Sequence, residues 1–385
     1  MIGFDYYNPV RLIFGNGSFS RLGECVHKRD EHAMLVTGSG AARRLGYLDR
    51  ALEMLQQSGV QVTVFDRVPP NPTDLIVEEG GTIAREHQCN LIVAVGGGSA
   101  MDAAKGIAVA ATHNFPVREF LVDGNHGDKR VPTGATLPVV CVTTTAGTSS
   151  ELTPFAVITA TETKEKAAIA GDCIYPRASI CDPELTLSTP AAVTAATGVD
   201  VLCHSVEGYI NADAGPFTDS AAVQAIGLVG EFLPRAVADG TDLEARYSLS
   251  LANVFAGVPL SNCGASVMHA LEHPVSAHYP GVPHGEGLAA LMVAYCRLFH
   301  GQMPEKFARL SALLGGPEQA AAAADTVAAF LDKVGLKIGL SRFGVDRAIL
   351  PRLAEDALRY MGGAAAKTPG CSGKGCLVQL LEESF

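Results

Sequence analysis

Long runs of lysine and arginine are missing from this 385-residue chain, and its charge sums to −11. A nucleic-acid binder neutralises phosphates with clustered basic residues. Nucleic acid and an anionic membrane surface are therefore not the expected partners. Also missing is any CxxC. The ten cysteines are scattered, and the nearest pair, Cys371 and Cys376, has four residues between its members and no matching second pair. That spacing suits buried thiols in a reducing cytoplasm better than a disulfide scaffold. The first 17 residues lack a basic start followed by an apolar block, so no signal peptide is read there. The most apolar stretch, Leu91–Ala111, is interrupted by a glycine triplet, Asp102 and Lys105, which argues against a membrane span.

What remains is an apolar chain, 48% hydrophobic and 18% charged, long enough for two domains with sizeable cores. The first half alternates short apolar runs with helical patterns. Ala33–Thr37, Gln61–Phe65, Leu91–Val95 and Leu137–Thr143 read as strands, the continuously apolar ones buried on both faces as in a parallel sheet. Phe155–Thr159 and Ala178–Cys181 read as further short strands. Past Thr189-Pro190 the pattern is helical throughout, in segments that include Leu243–Phe255, Ala265–His273 and Glu318–Val334. The expected architecture is an α/β dinucleotide-binding domain with a mostly parallel sheet (1–187), then an all-α domain (188–385).

Two loops and one cluster carry the chemistry. Gly96-Gly97-Gly98-Ser99 follows the strand Leu91–Val95 and opens a helix that contains Asp102. Glycines admit close backbone approach, and a helix N-terminus offers free N–H groups to a pyrophosphate. Ser99 is the expected cap of that helix. The second loop, 143–151, holds six hydroxyl residues within eight positions after a buried strand, where ligands of open α/β sheets bind. Four of the 11 histidines, His269, His273, His278 and His284, fall within 16 residues. His269 and His273 share a helix face, as do Asp200 and His204. Three imidazoles and a carboxylate make a divalent-metal site with room for one exogenous oxygen. Spacing alone does not choose four ligands among these six residues.

These motifs, with Phe14-Gly15-Asn16-Gly17, Pro70-Asn71-Pro72-Thr73, Asp182-Pro183-Glu184-Leu185-Thr186 and His284-Gly285, resemble the iron-containing (group III) alcohol dehydrogenase family in order and over nearly the whole chain. The resemblance implies the dehydroquinate synthase-like fold, with metal and substrate in the cleft between the domains. It implies Asp200, His204, His269 and His284 as ligands of Fe²⁺, with Zn²⁺ as the other candidate. His273 then lies near the nicotinamide. The positions matching cofactor contacts are Asn71, Gly97, Gly98, Ser99, Asp102, Thr144, Thr145, Thr153 and Lys166, with Lys166 as a donor to the ribose. Gly38 and Ser39 stand where NAD-preferring members often carry Asp. That departure admits a 2′-phosphate, with Arg43 or Arg44 as its partner, so NADP as well as NAD is expected. A second departure is the segment Pro369–Cys376, where many members have Asn-Pro-Arg.

The implied activity is reversible hydride transfer between nicotinamide and a small primary alcohol, diol or aldehyde, with a divalent metal acting on the substrate oxygen as a Lewis acid. His273 is the expected proton relay, because an imidazole titrates near working pH. Phe155, Val258 and Leu260 are expected in the substrate cleft. A homodimer is expected. The alternatives are a zinc-dependent polyol dehydrogenase and a dehydroquinate-synthase-like lyase. The lyase would need a basic pocket, for which the helical half offers Arg235 and Arg246.

Overall fold

The computed structural model describes residues 3–122 and 130–385. Its strands are β1 (Arg11–Phe14), β2 (His32–Gly38), β3 (Gln61–Val68), β4 (Leu91–Gly96), β5 (Leu121–Val122), β6 (Val139–Thr143), β7 (Phe155–Ala160), β8 (Glu165–Ala170) and β9 (Ala178–Cys181). Between them run α1 (Ala41–Arg44), α2 (Tyr47–Gln57), α3 (Asp74–Glu86) and α4 (Gly98–Ala110). The helical half comprises α5 (Ala191–Ile210), α6 (Pro216–Ala238), α7 (Leu243–Cys263), α8 (Val267–His278), α9 (His284–Phe299), α10 (Pro304–Leu313), α11 (Ala323–Lys333), α12 (Leu350–Ala365) and α13 (Gly373–Glu383).

Six strands form one parallel sheet in the order β1-β9-β6-β4-β2-β3. Successive side chains of a strand point to opposite faces, so a strand covered on both sides must be apolar throughout. In β4, Leu91, Val93 and Val95 join one core with α2, while Ile92 and Ala94 join the other with α3 and α4. The chain runs outward from β2 to β3, then returns to place β4 on the other side of β2. The carboxyl ends of β2 and β4 therefore flank a switch point, where an open α/β sheet holds its ligand.

The remaining strands build a three-stranded antiparallel sheet, β5-β8-β7, that the sequence pattern does not separate from the parallel one. β8 (EKAAIA) lacks a continuous apolar run, and its partners β7 and β5, not its own sequence, define it. The helices α7 and α8 outrun their expected ends at Phe255 and His273 by passing through Pro259 and Pro274. At Pro259 the ring is accommodated by Gly208 of α5, where an added Cβ would lie 2.4 Å away. Helix α11 starts only at Ala323, after a 3-10 turn at Ala320–Ala322, and α13 is an addition to the sequence reading. Helix α6 is apolar and long enough to cross a bilayer, but Ala225, Ile226, Val229 and Leu233 bury one face of it in the helical core.

Candidate active site

A cavity of about 420 Å³ lies between the two halves. The sheet half lines it with Asn71, Gly98, Ser99, Asp102, Thr153 and Lys166, and the helical half with Asp200, His204, His269, His273 and His284. Of the three apolar residues expected there, Phe155 and Leu260 are in the wall and Val258 is not. Arg235 is bound to Asp242 and Glu244 on the surface, and Arg246 to Thr189, Thr194 and Gly240. Neither lines the cavity, so the basic pocket that a lyase needs is not built from them.

Helix α5 turns Asp200 and His204 to one side, one helical turn apart. Helix α8 presents His269 and His273 in the same way, and α9 begins at His284. The next residue, Gly285, lets α9 meet α5: a Cβ there would lie 2.0 Å from the Ala196 carbonyl oxygen. The result is convergence on one atom. Asp200 Oδ1 lies 3.5 Å from His204 Nδ1, 3.5 Å from His269 Nε2 and 3.7 Å from His284 Nε2. The His204 and His269 rings stack with centroids 4.4 Å apart. Asp200 Oδ1, His204 Nδ1 and His269 Nε2 are all buried without a hydrogen-bond partner. Buried polar atoms are normally satisfied, so converging unsatisfied donor atoms need a ligand.

The outer faces of two rings are fixed by carboxylates. His269 Nδ1 bonds Glu207, and His284 Nδ1 bonds Glu272. Glu207 is itself held by Met268 N–H (2.5 Å) and Ser266 Oγ (3.0 Å). This carboxylate–imidazole pairing orients metal-binding histidines and raises their basicity. Burial works to raise the Asp200 carboxyl, but the imidazoles of His204 and His284 outweigh it and hold it below its ordinary value. Burial pushes His204 down to about 4. At His269 burial works downward, yet Glu207 and Asp200 lift it to about 10. The oxygen and nitrogen set, with its tautomers fixed from behind, fits a divalent cation. Glu207 and Glu272 were not foreseen as functional. Glu207 sits seven residues after Asp200 and three after His204 on one helix, and that spacing was the available signal.

His273 lines the cavity beside this cluster. Its Nδ1 donates to the Lys166 carbonyl oxygen (3.0 Å), leaving Nε2 as an acceptor. Burial, reinforced by the Lys166 ammonium, pushes its pKa well below the ordinary imidazole value. The Lys166 ammonium is bound to the helical half, 2.8 Å from Ser276 Oγ and 3.3 Å from Glu272.

The nucleotide side is built on α4. Gly97, not Ser99, occupies the cap position, and no side chain caps this helix. Ser99 Oγ instead accepts the Asn71 N–H (3.3 Å). At Gly98 a Cβ would lie 2.4 Å from the Thr148 methyl, so only glycine lets the 143–151 loop close on the helix start. Asp102 accepts from Ser150 Oγ (2.6 Å) and the Val157 N–H (3.1 Å). One turn on, the fully buried Lys105 Nζ lies 2.6–3.0 Å from Ser150 O, Ser150 Oγ, Thr153 O and Phe155 O. Lys105 also went unforeseen, since a lysine three residues after an aspartate reads as a helix surface pair. Gly38, Ser39, Gly97, Thr144 and Thr145 stay outside the cavity wall. Gly38 ends β2 at the switch point, the Thr144 N–H bonds Gly96 O, and Thr145 packs over Gly97.

A parallel sheet ending at an uncapped glycine-rich helix, facing a helical half that carries a carboxylate–imidazole cluster, defines a metal- and nicotinamide-dependent alcohol oxidoreductase. The family model for iron-containing alcohol dehydrogenase matches residues 9–183, and that for the Fe-containing alcohol dehydrogenase family, C-terminal, matches residues 194–384. The chain belongs to the iron-containing alcohol dehydrogenase family. A 1,3-propanediol dehydrogenase of Klebsiella pneumoniae is 40% identical over 366 residues, 92% of each chain. An NAD-dependent methanol dehydrogenase of Bacillus methanolicus is 32% identical over 360 residues, 92% of this chain and 93% of its own. The crystal structure of a histidine-to-alanine mutant of an archaeal halo-thermophilic Red Sea brine pool alcohol dehydrogenase superposes with a TM-score of 0.96 at 34% identity, over all of both chains.

Proposed function

We propose that this enzyme interconverts short primary alcohols or diols and their aldehydes with NAD(H), using Fe²⁺ held by Asp200, His204, His269 and His284. The observation that carries the reading is the set of buried, partnerless donor atoms around Asp200 Oδ1, all beside a cavity shared with the start of α4. A divalent ion there would supply Lewis acidity to the substrate oxygen, and the nicotinamide the hydride chemistry.

The chain's own part is placement and exclusion of water. Phe155, Val157, Leu260 and Met361 give the cavity apolar walls that suit a short carbon chain. His273, held neutral with Nδ1–H on Lys166 O, offers Nε2 as a hydrogen-bond acceptor. It orients a hydroxyl proton and does not store one. Two-carbon to six-carbon alcohols, 1,3-diols and aldehydes should turn over when Fe²⁺ is added to anaerobic enzyme. Absence of NADH formation with every alcohol, with Fe²⁺ or Zn²⁺, would remove the reading.

NADP use is the finer part of the proposal. No carboxylate follows β2 in the Gly38-Ser39 turn, which supports room for a 2′-phosphate. Arg43 stands near by but is bound to Asp66 of β3 (2.5 Å), exposed on both sides. An exposed pair of this kind is weak, so a phosphate can compete for the guanidinium. The expected result is kcat/KM for NADP within about tenfold of that for NAD, or about 1.4 kcal/mol. Arg43→Ala should lower the NADP value alone, and a strong NAD preference in the unaltered enzyme would dismiss dual use. The expected cytoplasmic setting and homodimer belong to the same proposal. All ten cysteines are free, which suits a reducing compartment, and β1 leaves one edge of the sheet without a neighbour among the described residues.

A further inference from the structure

The hydroxyl loop on the nucleotide side is gripped from the helical half. Asn253 of α7 is almost completely buried. Its Oδ1 accepts the N–H groups of Gly147 (2.9 Å) and Ser149 (3.0 Å). Its Nδ2 donates to Glu151 Oε1. Ser149 Oγ donates to the Asn253 carbonyl oxygen (2.7 Å). Ser149 is held at φ +49, a left-handed conformation that a serine keeps only when its surroundings impose it. One amide thus fixes both ends of the turn. The next residues carry that placement to the cavity. Thr148 packs over Gly98, and Ser150 holds Asp102 and contacts Lys105.

We propose that Asn253 is a positioning residue for the cofactor, setting NAD(H) affinity from the helical half by locking the 147–151 turn against the start of α4. The proposal rests on the reading that the cofactor's pyrophosphate lies at that helix start. It makes the metal-bearing half a determinant of nucleotide binding without touching the nucleotide. The two ends of the amide act in opposite senses, which gives a specific test. Aspartate at 253 keeps the two backbone acceptances but meets the Glu151 carboxyl where the amide donated. The groups facing that carboxyl are Lys105 of α4 with Asp102 one turn before it, Cys181 of β9, whose Sγ lies 3.7 Å away, and Cys141 of β6. Burial lifts Glu151 to about 7, so an aspartate beside it is tolerated only while one of the pair is protonated.

The experiment is equilibrium NADH binding, read by nicotinamide fluorescence, on the iron-loaded full chain. The variants are Asn253→Leu, Asn253→Asp and the double variant Asn253→Asp/Glu151→Gln. Asn253→Leu should raise the NADH Kd by about tenfold or more, the worth of one or two buried hydrogen bonds. Its iron content and its alcohol KM at saturating NAD should not change. Asn253→Asp should bind nearly normally at about pH 6 and weakly at about pH 8.5, a profile set by the shifted carboxyl pair. The double variant should bind well at both, because the glutamine amide returns the missing donor. A folded, iron-loaded Asn253→Leu with unchanged Kd overturns the proposal. If that variant does not fold, a double variant no better than Asn253→Asp at the higher pH does the same. Gly98→Val separates this failure from failure of the underlying site. Normal NADH binding by Gly98→Val removes the site reading itself, whereas lost binding there with normal binding in Asn253→Leu removes only the role of Asn253.

Discussion

His269→Ala should lose its metal and at least about a thousandfold in turnover, because the ion supplies several kcal/mol of charge stabilisation. The ring sits at the centre of the cluster. It stacks on His204, aims Nε2 at Asp200 Oδ1 and takes Glu207 at Nδ1. Its removal therefore takes away a donor atom and also leaves Glu207, which is fully buried, without its main counter-charge. A buried carboxylate stripped of its partner costs about 3–5 kcal/mol, so the thermal midpoint should fall too. Glu207→Gln is the milder companion. It keeps the shape but weakens the hold on the ring, and ion affinity should fall by about 10–100-fold with the fold intact. Metal content by elemental analysis, kcat and calorimetry check both. Full iron occupancy and normal rate in His269→Ala would show that the convergence on Asp200 has another purpose.

Lys105→Met is expected to be nearly as damaging, though it touches no metal residue. Methionine replaces most of the lysine stem but donates nothing. Four oxygens that now share one ammonium would be left in the interior. Burial pushes the Lys105 pKa down, and the neighbouring Asp102 works to raise it. Loss of the lysine then strands Asp102 as well, which burial already raises. A loss of about 3–5 kcal/mol is expected, the range for breaking a buried ionic network at one partner. Since Ser150, Thr153 and Phe155 all belong to the segment facing the cavity, NADH affinity should drop in whatever fraction stays folded. Urea unfolding of the variant checks this, and a midpoint unchanged from the parent would show that the oxygens find other donors.

The contrast between these residues shows what the sequence displays. The strand Leu91–Val95 was legible because burial on two faces leaves no polar position, and periodicity reports burial directly. The histidines were legible because imidazoles gathered in one stretch are costly without a task. The three-stranded antiparallel sheet was not, since β8 has neither an apolar run nor a clean alternation, and only its partners define it. Lys105 and Asn253 were invisible for a related reason. Their sequence neighbours describe an ordinary helix, while their bonds reach residues 45 to 106 positions away. For His273 a sequence gives the intrinsic imidazole pKa but neither its burial nor the lysine beside it, both of which lower that pKa.

The four proposed metal residues all sit on α5, α8 and α9, which pack within a single helical core. The nucleotide cradle, by contrast, joins α4 and the 147–151 turn to α7 across the cleft. The two proposed sites thus differ in how much of the molecule each draws on. Every donor atom proposed for the ion comes from the helical half, whereas the dinucleotide cradle draws on both halves.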